Sequence, residues 1–243
     1  MKRTMQVALA TAALALVPQL VQAQESEKST AVKGGIQVKG WMGKVDGKEA
    51  KAGLTVDSAK FVGMGKDGMH ATTGPAITYW NPEMKGKGDY VVKATFSERE
   101  YMGLNNHPHP YGIVIAGNDM GTDSESYLYC AAYGNGNFIV RGMGPAPFQM
   151  NGPRGGMSEA VHKAEAKGKP VTQEIALQVK GDKVSCIING TEVASYSKAD
   201  LVAAGKLAGQ QPADVGMTAP QPPRCSLKNA TDRSKASFAA AAL

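Results

Sequence analysis

The chain has 243 residues, of which 42% are hydrophobic and 20% are charged, and its formal net charge is +6 at pH 7. Its lysines are scattered and form no basic stripe with interleaved aromatic residues, so nucleic acid is disfavoured as a partner. After removal of an export signal, the remaining length suits one all-β domain.

The first 23 residues are expected to be a secretory signal peptide. Lys2 and Arg3 precede an apolar run over residues 7–17, which is too short to span a bilayer as a helix, and a small-residue cleavage site follows. Residues 24–35 are polar and small and are expected to form a flexible lead. No later segment is apolar and long enough to insert into a membrane, so we expect a periplasmic or secreted protein.

From Ile36 the chain is a series of short runs separated by glycine, each typical of a β-strand. The clearest covers residues 90–97, where hydrophobic and polar side chains alternate with a period of two. Residues 172–196 hold three more strands with tight turns, which predicts an antiparallel meander. Further strands are expected near Phe61, Ile77, Ile113, Leu128 and Ile139.

The end of the domain carries one predicted helix, over residues 197–205. Ser197 can cap it, Asp200 lies three positions later, and Gly205 can end it. About ten strands with one short helix near the C-terminal end predict an all-β fold, an antiparallel β-sandwich or jelly roll, over residues 36–208. Residues 142–170 predict a long loop, and the proline-rich residues 209–243 predict a disordered tail.

The order of the runs "DYVVKATFSERE", "YGIVIAG", "SYLYCAAYGNGNFIVRG" and "QEIALQVKGDKVSCIINGTEV", followed by a short helix that ends in glycine, resembles the concanavalin A-like (laminin-G-like) jelly roll. Within it, the chain looks most like the exported bacterial group described as 3-keto-disaccharide hydrolase-like. The resemblance covers residues 36–207 and implies a closing strand after the helix, where this sequence has its proline-rich tail. The Glu-x-Asp-x-x-Glu motif of jelly-roll glycosidases does not occur in the sequence, so no catalytic motif supports an enzyme.

Tyr127, Tyr129 and Tyr133 alternate onto one face of a predicted strand, and Arg141 follows on the next strand of the hairpin. On the concave face of a jelly roll, sugars stack on aromatic rings and form hydrogen bonds with polar groups. These residues are therefore expected to bind a carbohydrate or glycan-like ligand. The alternative is that the rings pack within or over the sandwich core. Further candidates for this face are Trp41 and Trp80.

His107 and His109 lie two residues apart, and in an extended strand both imidazoles would point to one face and could share a metal ion. The acidic loop from Asp119 to Glu125 offers oxygen ligands that suit calcium. For a hydrolase, the acid, base or metal groups that the sequence offers are Asp119, His107 and His109. The alternative is a strand-entry loop followed by a solvated turn.

Methionine and imidazole ligands suit copper, and Met64, Met69 and His70 lie within one short segment. Methionine is also a common residue for filling gaps in a core. A calcium or transition-metal ion therefore stays a possible cofactor at this stage, with core packing as the alternative.

The chain contains Cys130, Cys186 and Cys225. Export permits a disulfide, and an odd count leaves at least one cysteine unpaired within the chain. Cys130 and Cys186 both fall in strand-like runs, so they are either bridged or both buried as free thiols.

The sequence thus predicts an exported β-sandwich that binds a carbohydrate. The alternatives are a glycoside or keto-disaccharide hydrolase and a periplasmic copper or zinc binding module.

Overall fold

The structure is a computed structural model that describes residues 31–72, 74–102, 110–144, 146–205, 213–219 and 225–226. These residues include two α-helices, α1 (Gly47–Lys51) and α2 (Lys198–Gly205), and two short 3-10 helices. The strands are β1 (Gly35–Ile36), β2 (Met42–Val45), β3 (Lys60–Gly63), β4 (Met69–Thr72), β5 (Ile77–Gly86), β6 (Tyr90–Glu98), β7 (Tyr111–Asn118), β8 (Ser126–Ala132), β9 (Asn137–Met143), β10 (Phe148–Gln149), β11 (Gly156–Met157), β12 (Val171–Lys180), β13 (Lys183–Ile188), β14 (Thr191–Ser197), β15 (Ala213–Ala219) and β16 (Cys225–Ser226).

The strands form two sheets. Sheet A has the order β1-β3-β4-β16-β6-β12-β13-β14, and sheet B has the order β10-β9-β8-β7-β15-β5-β2, with β11 also paired to β9. All pairs are antiparallel except β1 with β3. The predicted all-β antiparallel sandwich with a short helix near its C-terminal end is confirmed, and the predicted meander is β12-β13-β14.

The period-two pattern of the sequence decides which face of each strand is buried. In β6 the buried hydrophobic side chains are Val92, Ala94 and Phe96, whereas the residues between them are half-buried. In β12, Ile175 and Leu177 are buried toward the same layer. Because alternate side chains of a strand point to opposite faces, one face of each sheet lines the core and the other is the outer face.

The core lies between the two sheets and contains stacked aromatic rings. The rings of Phe61 and Tyr79 stack with centroids 4.4 Å apart, one ring coming from each sheet. Cys130 of β8 and Cys186 of β13 form a disulfide across the core, with their Cα atoms 5.9 Å apart. Of the two arrangements that the sequence allowed for these cysteines, the structure has the bridge.

Helix α2 begins with the predicted cap. The Ser197 hydroxyl accepts a hydrogen bond from the Asp200 backbone N–H at 3.1 Å, and the Asp200 carboxylate accepts one from the Ser197 backbone N–H at 3.2 Å. This reciprocal pair satisfies backbone donors that the first helical turn leaves without partners.

The segment 142–170, predicted as a long loop, is fastened to the sheets at several points. The Asn151 side-chain amide accepts a hydrogen bond from Val140 N–H at 3.0 Å and donates one to the Phe138 carbonyl at 3.2 Å, which extends the hydrogen bonding of β9. The buried Gln173 amide accepts from His162 N–H at 3.0 Å and donates to the His162 carbonyl at 2.7 Å. Strands β10 and β11 also fall within this segment, so much of it is attached to sheet B and is not a free loop.

Strand β15 lies inside the range 209–243, for which the sequence predicted a disordered tail. It pairs with β5 on one side and β7 on the other, at the centre of sheet B. This is the closing strand that the jelly-roll resemblance implied. Its weak alternation, with Val215 and Met217 apart from Asp214 and Gly216, was hidden by the prolines on both sides. The other limits of the expected domain, including the signal peptide, stay predictions.

Within the described ranges, no helix has the length and apolar character needed to cross a bilayer.

Candidate functional site

The outer face of sheet B collects four of the predicted binding residues. In β8, Leu128 and Cys130 belong to the core, so Tyr127 and Tyr129 point the other way. The register of β8 with β9 places Arg141 directly opposite Tyr129. Tyr133 follows β8 and packs with Tyr129 in a small cluster on the same face.

The tyrosines of this face differ in how much of each ring a ligand can reach. Tyr127 and Tyr133 are 5% and 9% exposed, whereas Tyr129 is only half-buried. The Tyr127 and Tyr129 ring centroids are 6.2 Å apart at an interplanar angle of 43°. Tyr127 and Tyr133 therefore fit the alternative in which the rings pack over the core, and Tyr129 is the ring of the three that a ligand can reach most easily.

Arg141 is held by hydrogen bonds, and one of its donors has no partner in the described part of the protein. Its Nη2 donates a hydrogen bond to the Pro153 carbonyl at 2.9 Å, which fixes the guanidinium against the 142–170 segment. Its Nε is buried and has no hydrogen-bond partner among the described residues. Burial raises the pKa of Tyr129 to about 12, although the positive charge of Arg141 acts to lower it. The phenol is therefore neutral at physiological pH and can donate a hydrogen bond.

Trp80 lies on the same face but is covered. Its side chain is 2% exposed, and a Cβ added at Gly121 would lie 3.1 Å from two atoms of the indole ring. Trp80 was expected to contact a ligand, but its ring instead packs beneath the 119–125 loop. Trp41 lies elsewhere: it packs edge-on against the core residue Phe61, with ring centroids 5.4 Å apart.

Glu125, which the sequence offered only as an oxygen ligand for calcium, stands at the other end of this face. Glu125 pairs with Lys44 of β2 at 3.1 Å and accepts a hydrogen bond from the Gly121 backbone N–H at 3.0 Å. Lys44 also donates to the Thr122 carbonyl, so it holds the loop down onto the sheet. Glu125 is thereby positioned on the surface that also carries the tyrosines.

Asp46 provides a second carboxyl group close to Glu125. Although the residue is exposed as a whole, desolvation raises the pKa of its carboxyl to about 6, and the negative charges of Glu125 and Glu49 contribute. Asp46 and Glu125 also raise the pKa of Tyr127, where burial is the main cause. No sequence spacing links residue 46 to residue 125; only the pairing of β2 with β5 and the fold of the loop bring them together.

Of the three residues predicted to bind a metal, the structure describes only Asp119. His107 and His109 lie outside the described residues. Asp119 is an exposed turn residue with a φ of 50°, and its backbone carbonyl accepts a hydrogen bond from the Thr122 hydroxyl at 2.7 Å. Across the ranges that the structure describes, no group of three or more His, Cys, Asp or Glu side chains could hold a metal ion.

Only two of the three proposed copper ligands share a face, since Met64 and His70 line one cleft on sheet A and Met69 does not. Met69 is a buried core residue, whereas His70 follows it in β4 and therefore points to the outer face, where its Nε2 lies 3.1 Å from the Thr72 hydroxyl. Met69 and His70 cannot coordinate one ion from opposite faces of a sheet.

A scan against models of protein families gives no match. A search of curated proteins gives none either. A search of solved structures finds several that are similar to this chain. The carbohydrate-binding module CBM66 from Bacillus subtilis covers 80% of this chain and 96% of its own length, at 6% identity and a TM-score of 0.47. The laminarinase catalytic domain from Thermotoga maritima covers 83% and 96%, at 12% identity and a TM-score of 0.43. Sheep galectin-11 covers 58% and 92%, at 14% identity and a TM-score of 0.33.

Proposed function

We propose that the outer face of sheet B binds a carbohydrate, and that Tyr129 and Arg141 contact it. The observation that carries the proposal is their cross-strand pair: on the outer face of sheet B, a half-buried aromatic ring lies opposite a half-buried guanidinium. The apolar face of a sugar ring can stack on the tyrosine, and its hydroxyl oxygens can accept hydrogen bonds from the guanidinium.

The charges of the face favour an uncharged ligand. The positive charge of Arg141 lowers the pKa of Tyr129, whereas the negative charge of Asp46 raises the pKa of both Tyr127 and Tyr129. Charges of both signs therefore lie near these phenols. The carboxylates of Asp46 and Glu125 can accept hydrogen bonds from sugar hydroxyls. A neutral polyol that both donates and accepts hydrogen bonds suits this mixture better than a strongly charged molecule does.

The test is a glycan array on the purified mature protein, followed by calorimetric titration of each sugar that binds. We expect Tyr129→Ala and Arg141→Gln each to weaken binding tenfold or more. Tyr196→Ala on sheet A is the matched control and should leave the affinity unchanged. Absence of any sugar ligand, or equal losses in Tyr129→Ala and the control, would contradict the proposal.

Hydrolysis is a second candidate function, and the unlike carboxyl groups are what favour it. A carboxyl with a raised pKa can act as a general acid beside a second carboxyl that acts as base or nucleophile. Asp46 has the raised pKa, and Glu125, which pairs with Lys44, is the carboxyl whose charge contributes most to it after burial. The same titrations decide between binding and turnover. If product is released from a bound glycoside and Asp46→Asn stops release without loss of affinity, the chain is a glycoside-type hydrolase. If the sugar stays intact, it is a binding module.

Export is part of the proposal. It is supported by the signal-like first 23 residues of the sequence and by the Cys130–Cys186 bridge, since disulfides persist in oxidising compartments.

A further inference from the structure

Sheet A carries a cleft on its own outer face. The cleft has a volume of about 580 Å³ and is lined by three cationic side chains, Lys33, Lys60 and Arg99, by the polar His70 and Thr72, and by three apolar side chains. It lies on the other sheet from Tyr129 and Arg141, so it is separate from the proposed carbohydrate site.

The β3–β4 hairpin builds one wall of this cleft. Phe61 and Ala71 are buried in the core, so their neighbours Lys60 and Thr72 point outward, and these two residues lie directly opposite each other in the register. The segment that carries Lys33 is held close by a hydrogen bond of 2.8 Å from the Val32 backbone N–H to the Ser58 carbonyl. The cleft is therefore formed by paired backbone and not by surface lysines that happen to be close in sequence.

The cations of the cleft differ from the other lysines on sheet A. Lys93 pairs with Glu174 at 3.1 Å, and Lys183 pairs with Glu192 at 2.8 Å. Among the described residues, Lys33, Lys60 and Arg99 make no ion pair, and no acidic side chain lines the cleft. Like charges that share a concave surface create a positive potential that an anion would relieve.

We propose that this cleft binds an oxyanion, a sulfate or phosphate group, through Lys60, Arg99 and Lys33. The Arg99 guanidinium offers a planar fork of donors to an oxyanion, and the lysines offer point charges. The cleft volume falls in the range of small-molecule sites, about 300–1,000 Å³, and so exceeds what one inorganic ion fills. The remaining space, next to apolar Val62 and Met64, fits the molecule that carries the group.

The experiment compares four probes at constant ionic strength: inorganic sulfate, inorganic phosphate, dextran sulfate and neutral dextran. Binding is followed by amide shifts in ¹⁵N-labelled full-length mature protein and by calorimetry. We expect the double variant Lys60→Gln with Arg99→Gln to weaken anion binding tenfold or more. The charge-matched control, Lys51→Gln with Lys180→Gln, removes two exposed lysines outside the cleft and should change little. Affinity should also fall as sodium chloride is added, because salt screens the charges.

Comparing the probes distinguishes a free inorganic ion from an oxyanion that is carried on a larger molecule. Dextran sulfate that binds much more tightly than inorganic sulfate identifies a group carried on a sugar chain, whereas equal affinities identify the free ion. No binding of any anionic probe, or equal losses in the cleft variant and the charge-matched control, would overturn the proposal. Tyr129→Ala should leave anion binding intact, so failure here is distinguishable from failure of the carbohydrate site.

Discussion

Glu98 is the residue whose burial has the clearest consequence for stability. It takes the inward position that follows Phe96 in β6, is 3% exposed, and its Oε2 has no hydrogen-bond partner among the described residues. Gly134 lies against it: a Cβ there would come within 2.8 Å of Oε2. Burial raises the pKa of Glu98 to about 7, although a hydrogen bond with the Met102 backbone opposes the change.

We predict that Glu98 makes the free energy of unfolding fall as pH rises from about 4.5 to about 7. In this window the folded state keeps a proton that the unfolded state has lost, so the contribution is complete below the unfolded pKa and is gone above the folded one. The difference between the two pKa values corresponds to about 3 kcal/mol. Urea unfolding across this pH range should show the decline in wild type and a flatter curve in Glu98→Gln. Glu174→Gln, on the exposed outer face, is the control, and parallel wild-type and Glu98→Gln curves would contradict the prediction.

For single residues, the sequence predicts which face of a sheet a side chain points to better than it predicts whether a ligand can reach that side chain. Strict alternation is enough to place Tyr127 and Tyr129 on the face away from Cys130. It cannot show that Gly121 of a loop would close over Trp80, because that contact depends on how far the loop folds back. The pair of Asp46 and Glu125 was missed for the same reason.

Among the elements, β15 is the one whose loss we expect to damage the fold most. A central strand satisfies the backbone groups of both neighbours, so its removal leaves β5 and β7 with unpaired edges. We predict that a chain ending at Pro212 aggregates or loses cooperative unfolding, whereas a chain ending at Ser226 keeps the unfolding temperature of the full chain. Circular dichroism melts with light scattering test both. Equal melting of the two truncated chains would show that β15 contributes nothing.

Element lengths explain what the sequence analysis found and missed. Strands β6, β8 and β12 have seven to ten residues, long enough for alternation to be recognised. Strands β1, β10, β11 and β16 have two residues each, and no periodic pattern exists at that length. They form because a neighbouring strand offers free hydrogen-bonding groups, which is a property of the assembled sheet.

For the whole molecule, the Cys130–Cys186 bridge joins sheet B to sheet A. We predict that peptide mapping without reductant finds this bridge, and that replacing both cysteines by alanine lowers the free energy of unfolding by about 2–4 kcal/mol. Cys225→Ser is the matched control and should keep the bridge and most of the stability. Alkylation of three thiols in the unfolded, unreduced chain would contradict the pairing.

The position of β15 also orders the events of folding. Residues 77–86 and 111–118 are made early, yet the strand that fits between them comes at residues 213–219. Contacts so far apart in sequence form slowly, since a long loop must close before they are made. During synthesis sheet B is therefore incomplete until almost the whole chain has emerged. This late closure of sheet B is compatible with the proposed export, because a chain that has not yet folded can be threaded across a membrane.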